Sequence, residues 1–406
     1  MTATDPQQAP APIAAPRTPA PRDGHAPAGP DGSVHLPLTV HVCRNAGEFG
    51  GLAREWAGLY QRCHTATAFQ SHAWLWSWWL SYGGRRGLRV VLVRRGGELV
   101  AAAPLMRVHR PLPALVPLGG AITDYTDVLL ADAEAGVATA LAAGVRRAAR
   151  GAVVDLREVR EGASAERLLA CWRGTTRRLP DSVCLELPGL PMDGLIARVG
   201  SSRGQRIRAS LRKLEAAGVE EREVPPHEVP SAIETMMRLH LLQWRGRGVT
   251  PEHERPRFAR HLARAAAWMA ADGAASVTEF RMDGRVVAAN LTVLSPQLAG
   301  GYLFGADPVL RAAKVDVTTL LMRHGVGQSA GGGRATLSLL RGAEPHKFHW
   351  QPEHRTNQRL LMAGRASAPA LLLRYGLARA RAAAARSARL RRLRALLLSR
   401  TGRSSG

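Results

Sequence analysis

Up to residue 36 the chain is Pro, Ala, Gly and Gln with few large apolar residues. Such a segment cannot bury enough surface to offset chain entropy, so 1–36 is expected to be a disordered tail. From Leu38 onward the apolar positions become periodic. The run 38–43 reads as a strand, and 48–61 carries Leu52, Trp56 and Leu59 at helical spacing. Ser71 predicts the N-cap of a ring-rich helix ending at Gly83. Trp74 and Trp78 are one turn apart, as are Leu75 and Trp79, so large rings cover more than one face. That pattern suits a core helix, or one whose tryptophan lines a substrate. The β-rich runs 88–94 and 99–108 flank Arg95-Gly96-Gly97-Glu98 and predict a hairpin. Asp124-Tyr125-Thr126-Asp127 leads into a further strand. Its carboxylates are turn formers at a strand start or site residues. Helix 134–150, strand 153–156, helix 166–177 and an extended 182–187 complete a mixed α/β domain over 38–190.

The second domain, 191–363, repeats this organisation. Ser202 and Gln205 have the spacing of a capping box for a helix reaching about Ala217, with Gly218 as its stop. Ile207, Leu211 and Leu214 form its apolar stripe. Arg203, Arg206, Arg208, Arg212 and Lys213 cover the remainder, either as a solvated face or as a grip for phosphate or carboxylate. Ser231 and Glu234 predict a second capping box. On that helix Met237, Leu241 and Trp244 face one way with His240 beside them. A histidine in that setting is more often packed than catalytic. Helix 256–271 follows. Strands 275–281 and 286–293 turn at Asp283-Gly284, a strong hairpin signal. Then come strand 301–304, helix 316–328, a strand from Leu337 that breaks at Arg341-Gly342, and a last strand 358–362.

Residues 364–406 form an Arg/Ala/Leu-rich basic helical tail. Leu390, Leu393 and Leu397 share one face there. Such a helix can lie on an anionic membrane surface or bind a partner, or it can be an unconstrained tail. The formal charge is +24, yet only Lys213, Lys314 and Lys347 are lysines, and eleven arginines lie beyond Gly364. The excess is therefore partly a property of the tail. The basic composition raises a nucleic-acid reading. No recognised motif supports it, and the aromatics cluster in 69–82 instead of interleaving with a basic patch. Four cysteines without a C-x-x-C suggest neither a zinc site nor a disulfide framework, and a reducing compartment. No metal is expected. Neither a membrane-spanning apolar run nor a signal-peptide core is visible, so a cytoplasmic location is expected.

The densest polar cluster is Leu337 to Trp350, which presents Arg341, Glu344, His346, Lys347, His349 and Trp350 just past a strand end. It reads as a charged surface loop or as a site.

Several segments resemble, in order, a known group. Phe69-Gln70-Ser71 with Trp74 and Trp78-Trp79 is one. Arg206, Arg212, Leu214, Glu215 and Gly218 are the next, then His240 with Trp244. Asp283-Gly284 with Val287-Ala288-Ala289 follows, and Arg341-Gly342, Glu344-Pro345, Lys347 and Trp350 close the set. Over about 38–363 these resemble the double-GNAT acyltransferases with a BioF-like acetyltransferase domain from bacterial polysaccharide clusters. Those are relatives of the FemAB-type aminoacyl transferases of peptidoglycan synthesis. Where that family has an acid in the closing strand, this chain has Ser338; where it has a tyrosine, this chain has His346. The Gln/Arg-x-x-Gly-x-Gly/Ala loop that cradles the pyrophosphate of coenzyme A is absent, as is a Ser-Pro-Gly before helix 316–328.

The resemblance implies two GNAT-like α/β domains in tandem. It further implies transfer of an acyl group, acetyl by expectation, from acyl-CoA to an amine or hydroxyl on a small-molecule or glycan acceptor. The roles expected are catalysis by Glu344, His346 and Lys347, with His346 as base. Donor binding falls to Arg203, Arg206, Arg212 and Arg341, or to N–H groups opening helix 316–328. Substrate contact falls to His240, Trp244, Trp350 and Asp124. Two alternatives stand beside it. One is a catalytically degenerate binding module docked on membrane or polysaccharide machinery. The other is a FemAB-like transferase using aminoacyl-tRNA, for which a basic surface has a use.

Overall fold

The computed structural model describes residues 36–401 except 85–86, 110–111, 132–134 and 247, with no side chain at 135 or beyond 385. The expected disordered tail, up to residue 35, lies outside the described residues. In chain order the first half forms β1 (Leu38–Cys43), α1 (Ala46–Gly51), α2 (Ala53–Gln61), α3 (His72–Trp78), β2 (Gly87–Arg95) and β3 (Glu98–His109). It continues with β4 (Pro113–Pro117), β5 (Leu129–Leu130), α4 (Ala135–Ala149), β6 (Val153–Val159), α5 (Ser164–Ala170) and β7 (Thr175–Pro188). The second half forms α6 (Met192–Ala197), α7 (Ser201–Ala216), β8 (Glu220–Glu223), α8 (Val229–Trp244), α9 (Pro256–Ala271) and β9 (Ala275–Met282). Then follow β10 (Arg285–Leu294), β11 (Leu298–Ala306), α10 (Val309–Ala312), α11 (Val317–Val326), β12 (Thr336–Arg341), β13 (Glu353–Ala363) and α12 (Ala368–Thr401).

The described strands make one mixed sheet in the order β1-β2-β3-β4-β6-β13-β7-β12-β11-β10-β9-β8, with β5 beside β3. The order is nearly a palindrome. β4 and β6 are a parallel pair in the first half, as β11 and β12 are in the second. The closing strands are exchanged: β13, last in sequence, pairs with β6, while β7 of the first half pairs with β12. The segments 38–190 and 191–363 therefore each lend a strand to the other, and the described residues from Pro37 on belong to one compact unit. A core of Trp56, Phe69 and Trp74 with Met236, Phe258 and Leu262 spans both halves on one face. On the other, α4 covers Val91, Leu105 and Val154.

Most local signals operate as the sequence suggests. The Ser71 Oγ accepts the Trp74 N–H at 3.3 Å and caps α3, whose Trp74, Leu75 and Trp78 are buried. Asp283 and Gly284 both have positive φ, 50° and 74°, which suits a two-residue hairpin turn between β9 and β10.

Three expectations differ. Neither capping box forms. α7 is capped at Gly200 and α8 at Glu228, and the Ser231 hydroxyl instead donates back to the Glu228 carbonyl at 2.8 Å. Pro230 favours this earlier start, because proline fits the first turn of a helix. The helix expected over 166–177 stops at Ala170. The chain must then join the ladder with β13, where a side chain on Gly174 would place Cβ 2.2 Å from the Ala363 carbonyl oxygen. The strand expected after Asp127 is only two residues long.

Among the described residues, the start of α12 packs on the sheet. Leu371 is buried against Val153 and Leu361, and Arg374 pairs with Asp155 at 3.3 Å. Residues 379–385 are exposed. No described helix is long and apolar enough to cross a membrane.

Candidate active site

The ladder between β11 and β12 covers only Leu298–Gly300 against Thr336–Ser338. Past it the strands diverge, helped by a left-handed Leu340 (φ 56°) and a register break between Ser338 and Arg341. A cleft of about 130 Å³ opens there, lined by Asn290, Phe304, Met322, Leu337 and Trp350, with His346 and Lys347 at its polar side. The first half has the same split between β4 and β6, and a matching left-handed residue, Glu158 (φ 57°). There the chain fills its own gap, because Thr126 bridges to Val159 and its N–H donates to the Glu158 carbonyl at 2.8 Å.

The expected catalytic residues sit on a short 3₁₀ turn, Pro345–Trp350, entered through Gly342. Gly342 has φ 108°, and a Cβ there would lie 2.3 Å from Glu344 Oε1, so only glycine admits the turn. Lys347 Nζ contacts Glu344 Oε2 at 2.8 Å and donates to the carbonyls of Arg341 (3.0 Å) and Gly342 (3.3 Å). Those three partners match the three protons of an ammonium. Partial burial pushes the Glu344 carboxyl up, but the Lys347 hydrogen bond and charge outweigh it and hold it below the usual range. Burial lowers His346, against the opposing pull of Glu344. It is therefore neutral near pH 7 and able to accept a proton. Trp350 is buried and forms part of the cleft wall.

Arg341 and Asp124 meet each other. Arg341 Nε donates to Asp124 Oδ1 at 2.6 Å, Nη1 to Glu158 Oε1 at 3.2 Å and Nη2 to the Ala121 carbonyl at 2.6 Å. This guanidinium joins the halves of the molecule, and its fork is occupied by protein acceptors. Arg206 and Arg212 are exposed on α7 and Arg203 is half-buried; none of the three lines the cleft. His240 lies behind β11. One ring nitrogen is 2.8 Å from the Phe304 carbonyl and the other 3.1 Å from His253, and burial lowers its pKa. Trp244, near it, is half-exposed.

The helix that follows β11 is the natural seat for a donor's phosphates. In α11 that seat is taken. Asp316 accepts from the N–H groups of Thr318 and Thr319, each at 3.2 Å, and from the Thr319 hydroxyl at 2.6 Å. A carboxylate on the first-turn amides repels a pyrophosphate. The residues present do not fit the usual hold on coenzyme A, in line with the missing Gly-rich loop.

A second polar group lies beneath the split and was not picked out from the sequence. Ser338 pairs across the sheet with Glu186. The Tyr125 hydroxyl is 2.9 Å from Ser338 Oγ and 3.3 Å from Glu186 Oε1. Arg160 clasps Glu186 with two bonds, 3.0 and 2.9 Å. The carboxylate that the resemblance expects at Ser338 thus stands on the neighbouring strand. A glutamate inside the apolar run C-L-E-L was the available signal. Asn357 donates to Glu158 at 3.1 Å, while its own Oδ1 is buried without a hydrogen-bond partner.

Residues 201–348 match the family model of the acetyltransferase (GNAT) domain. No curated protein matches the chain. Among solved structures it is similar to FemX, with TM-score 0.57 and 11% identity over 79% of this chain and 98% of that one. A conserved protein of unknown function from Bacteroides thetaiotaomicron gives TM-score 0.52 and 11% identity over 80% and 100%. A C-terminal domain described as that of a lysylphosphatidylglycerol synthetase from Agrobacterium fabrum gives 0.52 and 12% over 81% and 95%. At these identities the likeness is one of fold. The chain has a GNAT/FemX-like α/β fold, and with the domain match this supports an acyltransferase.

Proposed function

We propose that the protein transfers an acyl group to an amine or hydroxyl at the β11–β12 cleft, and that its donor is of the aminoacyl-tRNA kind. The observation that carries the choice of donor is the Asp316 carboxylate on the first turn of α11. A donor whose phosphates rest elsewhere avoids that charge, and a basic protein surface attracts a polynucleotide. The named neighbours with this fold, FemX and a lysylphosphatidylglycerol synthetase domain, agree with that reading. Acyl-CoA is the second reading, favoured by the acetyltransferase family matched over 201–348.

In either case His346, at the cleft and neutral, accepts the proton lost by the nucleophile as it adds to the acyl carbonyl, and returns it to the departing tRNA hydroxyl or CoA thiol as the tetrahedral adduct collapses and the donor's acyl bond breaks. Lys347 and Glu344 hold the turn that positions it. Main-chain groups on the facing edges of β11 and β12 have no partner from the other strand past Gly300 and Ser338. On β12 the Leu340 and Arg341 N–H groups are taken by Ser338 Oγ and Asp124 Oδ2, so the β11 edge offers the N–H donor to the developing oxyanion. The acceptor in this reading belongs to envelope polymer synthesis. α12, with exposed Leu372, Leu373 and Leu377, gives peripheral contact with an anionic membrane surface.

Filter binding with aminoacyl-tRNA, beside thermal-shift titrations with acetyl-CoA and a long-chain acyl-CoA, tests the donor. Saturable binding of the tRNA alone is expected; stabilisation by a CoA ester alone would reverse the choice. Lys347→Ala and Glu344→Ala are expected to abolish transfer with the fold intact. Wild-type turnover in both would sink the site. Deleting 372–406, which removes Leu372, Leu373 and Leu377 and keeps the buried Leu371, is expected to remove binding to anionic vesicles, and unchanged binding refutes the membrane contact.

A further inference from the structure

A larger cavity lies elsewhere. It has a volume of about 640 Å³ and lies where α2 and α3 meet α9 and the turn between β10 and β11. That volume is within the range of small-molecule sites.

Its walls are locked together. Ser77 on α3 donates to the His261 carbonyl on α9 at 3.0 Å. Arg264, also on α9, donates to the Ser77 carbonyl at 3.0 Å and to the Ser81 hydroxyl at 2.7 Å. The residue before Ser77 is Trp76 and the fourth after Arg264 is Trp268, and both indoles line the cavity. Trp76 is held in place. It packs edge-on to Phe49 at 5.7 Å and against the bare backbone of Gly50, where a Cβ would come within 2.9 Å of the ring. Trp268 is 39% exposed, an unusual setting for so large an apolar surface. Ala53, Ala57, Ala73, Ala271 and Gly273 also line the cavity, and their small size leaves room beside the rings.

The polar groups are mixed and balanced. Asp272 supplies a carboxylate, Gln61 an amide, and Arg334 a guanidinium fixed by bonds to the Ser295 and Gln328 carbonyls at 2.9 and 2.8 Å. In a chain with a formal charge of +24, this cavity offers one charge of each sign. It is not built for a polyanion or for a cation. Two indole rings, each with one face engaged by Arg264 or His72, beside both hydrogen-bond donors and acceptors suit a ligand with apolar C–H faces and a rim of hydroxyl groups. We propose that this cleft is a binding site for a neutral saccharide. The site is separate from the β11–β12 cleft, and the proposal does not depend on acyl transfer.

The test uses the full chain without any acyl donor. Cellotetraose, chitotetraose and maltotetraose are titrated while intrinsic tryptophan fluorescence and binding heat are followed. Saturable binding of at least one is expected. Trp268→Ala removes an exposed ring, and Ala57→Trp fills the cavity from the exposed side of α2. Each is expected to weaken binding tenfold or more with an unchanged circular dichroism spectrum. Binding of none of the three sugars overturns the proposal, as does wild-type affinity in both variants.

Discussion

Ser338 and Glu186 face each other across β12 and β7, and the Tyr125 hydroxyl lies between them, 2.9 Å from the first and 3.3 Å from the second. Glu186 is 4% exposed and is clasped by Arg160. Arg160 is a third exposed, so neutralising Glu186 costs the charge-assisted hydrogen bonds and not a fully buried pair, about 2 kcal/mol. Losing one hydroxyl hydrogen bond costs about 1 kcal/mol. Glu186→Gln should therefore lower the free energy of urea unfolding clearly more than Ser338→Ala. Equal losses would show that the Arg160–Glu186 charge pair adds nothing beyond a single hydrogen bond.

Gly342→Ala tests the turn that carries the candidate site. The backbone there is left-handed, and the added methyl group would push Glu344 away from Lys347. A loss of about 1–3 kcal/mol in stability is expected, together with loss of transfer. A thermal melt near wild type with full turnover would show that the turn is not strained and the pair not needed.

Asp316→Asn keeps an oxygen for the Thr318 and Thr319 amides but removes the negative charge. If that charge keeps phosphate away from α11, the variant should bind coenzyme A at least about threefold more tightly, a gain of about 0.7 kcal/mol. Calorimetry on both proteins decides it. Unchanged affinity would mean that another feature excludes the donor.

His261 sets part of the acid sensitivity of the fold. It is fully buried beside Ser77, and burial followed by the Arg264 charge pushes its pKa down to about 3 from 6.5. The folded state keeps it neutral while the unfolded chain takes up a proton. Its contribution is thus complete above about pH 6.5 and is lost as the pH falls toward 3. The urea midpoint of the native protein should drop more between pH 7 and pH 5 than that of His261→Gln. Parallel behaviour of the two would assign the acid sensitivity to other groups.

Part of the candidate site was legible in the sequence. His346 and Lys347 border the cleft and Glu344 opens the same turn, because a strand broken by Arg341-Gly342 must turn there. Arg341 and Asp124 were read as ligand contacts, yet they bind each other across 217 residues of chain. Nothing within a few residues of either shows that. The N–H groups opening helix 316–328 were expected to be open to a donor, but Asp316 caps two of them. Glu186 carried a weaker signal, one acid in an apolar strand, but its partners Arg160, Tyr125 and Ser338 come from three other parts of the chain.

By itself, the sequence determined the elements whose causes lie within a turn or a hairpin of one another. These include the Ser71 cap, the turn at Asp283-Gly284 and the two-part repetition of helices and strands. The tertiary structure alone decided the exchange of β7 and β13, the self-filled split in the first half and the open one in the second. Local signals act through neighbours a few residues away. Strand order and register are set by which apolar faces can be buried together, and that depends on the whole sheet at once.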